Sequence, residues 1–104
     1  MAKYVFAFHG GGAPSSPEEG EKVMAAWGAW MASLGENLVD PGAPVGASTT
    51  LSRAGATEGG GANPLSGYTV VQADSMEQAM EFGKTCPMLD APDGSIEIAE
   101  VMEM

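Results

Sequence analysis

The chain has 104 residues, enough for one small domain with a single core. Its 14 acidic residues against 4 basic ones give a formal charge of −10, which repels a phosphate backbone and an anionic membrane surface, so nucleic-acid and membrane partners are not expected. A single cysteine, Cys86, and a single histidine, His9, exclude an internal disulfide and leave no metal-ligand spacing, so neither metal nor cofactor is expected.

In chain order, "KYVFAFH" alternates Tyr4, Phe6 and Phe8 with Val5, Ala7 and His9, the period of two of a strand, with both faces largely apolar. Its run "YVFAF" is too short for a secretory signal core or a membrane span, which predicts a soluble, cytoplasmic protein. After "GGGAPS", Ser16 reads as an N-cap, Pro17 as the first helical residue and Glu19 as the partner of a capping box. The helix that follows carries an apolar stripe of Val23, Ala26, Trp27, Trp30, Met31 and Leu34, and Gly35 terminates it. "NLVD" predicts a short second strand closed by Pro41-Gly42, with Pro44 marking an edge or a bulge.

Residues 46–66 form a glycine-rich insertion in which "STTLS" and "ATE" pair as a small hairpin around Ala54-Gly55. "GYTVVQA" is a third main strand, and Ser75-Met76-Glu77-Gln78 opens a second helix with the stripe Met76, Ala79, Met80 and Gly83, ended by Pro87. Cys86 falls at the end of that helix, where the dipole disfavours a thiolate, and reads as a packing residue. After "APDG", "SIEIAEVME" alternates Ile96, Ile98 and Val101 with acidic neighbours, and a phase slip at Ala99 suggests a bulge. The order predicts an α+β fold: a ferredoxin-like split βαβ sandwich of one domain, 1–104, with both helices on one face of an antiparallel sheet. With no third helix to cover the other face, a second copy is expected there, making a homodimer.

"KYVFAFHG", "SPEEGEKVMAAWGAWMASL" with its exit "GENLVDPG", "GYTVVQADSMEQAMEFGKTCP" and "GSIEIAEV" together resemble the YCII-related family of small proteins, often called DGPF-domain proteins. The resemblance implies a ferredoxin-like subunit in a dimeric α+β barrel, a cleft between sheet and helices, and mostly unassigned activity; some relatives are thought to use a His and Asp pair in lyase or isomerase chemistry. "GGGANPLSG" stands in place of the Asp-Gly-Pro-Phe signature, and Trp27 falls about where those relatives carry a histidine. Asp40 falls near the expected acid, but the pair as such is not carried over.

"HGGG" resembles an esterase oxyanion loop, yet no G-x-S-x-G turn and no second histidine accompany it. Either His9 simply ends its strand, or it faces the cleft as acid, base or hydrogen-bond donor, with Asp40 fixing its tautomer. Trp27, Trp30 and Met31 read as core that also borders that cleft, and Asn63, Ser66 and Tyr68 supply polar tips after three glycines. The sequence therefore predicts a homodimer binding a small molecule in a cleft between the first helix and the sheet. The alternative is a lyase or isomerase using His9 and Asp40 for proton transfer.

Overall fold

The computed structural model describes residues 1–11, 15–59, 61 and 63–103. Gly12, Gly60 and Ala62, which belong to the two glycine-rich stretches, lie outside them. Strand β1 (Ala2–His9) leads to helix α1 (Pro17–Leu34) and strand β2 (Leu38–Pro44). The hairpin β3 (Thr49–Ser52) and β4 (Gly55–Glu58) follows, then β5 (Leu65–Ala73), α2 (Met76–Lys84) and β6 (Ser95–Glu100). Short 3-10 turns at Gly35–Asn37 and Pro87–Asp90 finish the two helices.

The main sheet is antiparallel throughout, in the order β2-β5-β1-β6, and β3-β4 forms a separate two-stranded sheet. The fold is thus small α+β, with an order compatible with the ferredoxin-like arrangement. Both helix starts follow their local chemistry: Ser16 Oγ accepts the Glu19 N–H at 3.1 Å and Ser75 Oγ accepts that of Gln78 at 3.2 Å. Gln78 reaches back to accept the Asp74 N–H at 2.6 Å. Gly35, at φ 55°, caps the far end of α1.

Alternation on the central strands divides the sheet into two faces. Tyr4, Phe6, Phe8, Thr69, Val71 and Ala73 are buried under the helices, with Trp30, Leu34, Ala79, Cys86 and Met88 completing the core. Thr69, fully enclosed, donates its hydroxyl to the Pro41 carbonyl at 3.1 Å, so its polarity is satisfied. The α1 stripe packs unevenly: Trp30 and Leu34 are buried, Trp27 and Met31 half-buried, while Val23 and Ala26 stay exposed. No described residue buries the side chains of the first turns of that helix.

Two local expectations change. β2 does not close at Pro41-Gly42 but runs through it to Pro44, because an edge strand tolerates proline and absorbs the extra residues as bulges around Asp40. β6 has no bulge at Ala99: its register with β1 is continuous from Tyr4↔Glu100 to His9↔Ser95. The phase slip arises because Val101 lies past the strand end, where its N–H still donates to the Lys3 carbonyl at 2.8 Å. No helix of the described residues is long and apolar enough to cross a membrane.

Candidate functional site

β1 delivers its last residue, His9, to one end of the sheet, and Gly10 and Gly11 turn the chain away at φ 83° and 78°. A Cβ on Gly10 would collide with the Asp93 carbonyl, so this turn requires glycine both for its backbone conformation and for its close approach. The Gly11 N–H donates to the Pro92 carbonyl at 2.8 Å, tying the exit of β1 to the turn before β6.

The His9 side chain, 14 % exposed, is held from two sides. Nδ1 lies 3.0 Å from the Asn63 carbonyl oxygen, an acceptor only, so this nitrogen carries hydrogen and donates. Nε2 lies 3.1 Å from Glu97 Oε1 on β6. Glu97 is 74 % exposed, so this contact is worth at most about 1 kcal/mol and its carboxylate is free to swing. The ring thus clasps β6 and the segment before β5 to the end of β1.

Asp40 is not part of this cluster. It sits opposite Val70, which sits opposite Val5, four residues before His9. That separation is about 13 Å along the strand and two strand spacings, about 10 Å, across the sheet. Its Oδ1 instead accepts the Gly42 N–H at 2.8 Å and shapes the bulge of β2, where Gly42 at φ 67° presses against the Tyr68 carbonyl.

Of the other residues singled out, Trp30 donates Nε1–H to the Phe82 carbonyl at 2.9 Å and packs its ring 6.1 Å from Phe6. Trp27 stands edge-on to Phe8 at 5.1 Å and to Trp30 at 5.7 Å. These rings and Met31 fill the space between α1 and the sheet, where the sequence led us to expect a cleft. Tyr68 lies on the opposite, helix-free face, paired with Ala7 and Ala43. Ser66 donates its hydroxyl to the Phe8 carbonyl at 3.0 Å, and Asn63 contributes its backbone carbonyl to His9.

The cleft is found instead at the glycine end of the sheet. About 780 Å³ opens between the β1 exit at Gly10 and Gly11, the chain leaving β2 at Val45, the base of the hairpin at Ser48 and Glu58, and Ser66. Hydrogen bonds brace the hairpin side: Gly59 N–H donates to the Ser48 carbonyl at 2.7 Å and the Thr50 hydroxyl to the Gly59 carbonyl at 2.7 Å. Ser48 Oγ is enclosed and has no hydrogen-bond partner among the described residues. A hydroxyl left in that condition costs about 1–3 kcal/mol.

Nothing in the sequence marks Ser48, Glu58 or Glu97. Ser48 is one small polar residue in a run of them, and Glu97 meets His9 only through the β1–β6 register, 88 residues away. Among the described residues no cluster of His, Cys, Asp and Glu could hold a metal ion. Cys86 is 2 % exposed, and burial, reinforced by the charge of Asp90 and opposed by the Met88 backbone N–H, pushes its thiol up to about 11. Compared with protein-family models and with curated proteins, the chain matches none.

Proposed function

We propose that the chain is a homodimeric, YCII-like protein of the cytoplasm that binds a small molecule in the cleft at the glycine end of its sheet. The observation that carries this reading is an open cleft of about 780 Å³, a volume suited to a metabolite-sized ligand, bordered by Ser48, whose hydroxyl has no hydrogen-bond partner among the described residues. The glycines on the facing wall leave backbone groups unscreened by side chains, so polar parts of a ligand approach closely. Thermal-shift screening of a panel of small polar metabolites, repeated on Ser48→Ala, tests it. Hits should raise the melting temperature of the parent protein and not that of the variant; equal shifts in both would overturn the assignment.

The dimer is supported by the helix-free face of the sheet, which carries Val5, Ala7 and Val70 between Tyr68 and Ala99. The same face of a second copy would cover it, as in a dimeric α+β barrel. A second reading, a lyase or isomerase working by proton transfer, is favoured by one detail. The Asn63 carbonyl fixes the ring of His9 and leaves Nε2 beside a carboxylate that can move, so the relay partner is Glu97 instead of Asp40. His9→Asn would abolish turnover in that case, and would leave ligand binding nearly unchanged if the protein only binds.

A further inference from the structure

Among the described residues, no third strand pairs with the hairpin β3–β4. Every residue of both strands is exposed, Leu51 by 79 %, and among the described residues each strand pairs with no strand but the other. A two-stranded hairpin alone in water is marginally stable at best. Arg53 and Ala54 at its tip keep negative φ, and Gly55 at φ 124° carries the reversal, so the turn is not the primed type that stabilises isolated hairpins.

The whole chain shares this incompleteness. Its accessible surface is 7082 Å², whereas a self-contained monomer of 10.6 kDa exposes about 5,500 Å². Its radius of gyration is 14.7 Å, against about 13 Å for a compact domain of this length. The excess, about 1,600 Å² per chain, is larger than the roughly 800 Å² per partner of a standard interface and falls in the range of obligate homodimers.

We infer that β3–β4 is a dimerisation arm that seats on a second copy of this chain, with Leu51 as its apolar anchor. Charge supports this occupant. The arm tip holds Arg53, the only arginine of a chain whose net charge is −10, so another copy presents the complementary surface. The first turns of α1 match it best: Glu18, Glu19 and Glu21, which outnumber Lys22 among them, lie beside Val23 and Met24, exposed among the described residues. Because Ser48, Thr49 and Glu58 form one wall of the cleft, a seated arm also holds that wall in place. The inference rests on the dimer reading above and adds to it which segment crosses between subunits.

Sedimentation equilibrium of the full chain, Leu51→Asp, Arg53→Glu and Val70→Asp tests it, with circular dichroism confirming that each variant is folded. Leu51→Asp should weaken the dimer by at least tenfold. Arg53→Glu should weaken it less, by an amount that shrinks as salt is raised. An unchanged dimer constant for Leu51→Asp, with Val70→Asp dissociated, would overturn the arm and leave the sheet-face dimer standing. A parent chain that is monomeric at all concentrations up to about 100 μM would overturn both.

Discussion

The two ends of β1 belong to different kinds of structure. Tyr4, Phe6 and Phe8 lie under two helices, locked by aromatic contacts and by the Trp30 bond to Phe82. Beyond His9 the chain is held by backbone bonds, tight glycine turns and the His9 clasp, and it borders an open cleft instead of a core. The packed region derives its stability from buried apolar area, so it tolerates little loss of volume. The glycine end depends on backbone geometry, so small added atoms disturb it more than lost contacts do. Substitutions that respect one rule and violate the other separate the two regions.

The largest effect is expected at Trp30, 4 % exposed. Trp30→Ala should destabilise the protein by about 3–5 kcal/mol in urea unfolding, while Trp27→Ala, at a half-buried ring, should cost less. At the glycine end the opposite change, adding one carbon, is the damaging one. Gly10→Ala drives a Cβ into the Asp93 carbonyl at positive φ, and should cost more than the roughly 1–2 kcal/mol of left-handed backbone alone.

Cys86 sharpens the comparison through pH. Its thiol is raised in the fold, so the fold prefers the protonated form; the contribution is complete below the unfolded value of 9.0 and is lost as pH rises toward about 11. Stability measured from pH 8 to 11 should fall, and Cys86→Ala should flatten that fall. Gly28 shows that glycine matters by position and not by kind. It lies mid-helix in α1 with nothing within 4 Å of an added Cβ, so Gly28→Ala should stabilise by up to about 1 kcal/mol. His9→Asn should be the mildest, less than about 1 kcal/mol, because Glu97, the carboxylate beside its ring, is largely exposed to solvent.

The same division explains what could be read from the sequence. Ser16, Pro17 and Glu19 announce α1, Ser75 and Gln78 announce α2, and the period of two in "YVFAF" and "TVVQA" marks the central strands, because these signals act within a few residues. The "STTLS" and "ATE" hairpin was legible for the same reason. The extent of β2 was not, since its continuation through Pro41-Gly42 depends on pairing with β5. The site was the least legible part. His9 stood out as the only histidine, but its partners, Asn63 and Glu97, are 54 and 88 residues distant and are chosen by strand register. Asp40, the partner suggested by resemblance, is committed to Gly42. The sequence points to a cleft beside Trp27 and Trp30, but their rings are large enough to fill that space.

The central claim is that the glycine end is completed by a second copy. Hydrogen exchange across a concentration series from well below to well above the dimer constant addresses it most directly, because it reads the hairpin and the core in one sample. The account predicts that amides of Thr49–Ser52 and Gly55–Glu58 exchange rapidly in the dilute monomer and slow as the dimer forms, while amides of β1 stay slow throughout. Hairpin exchange that stays equally fast when sedimentation reports a dimer would contradict it.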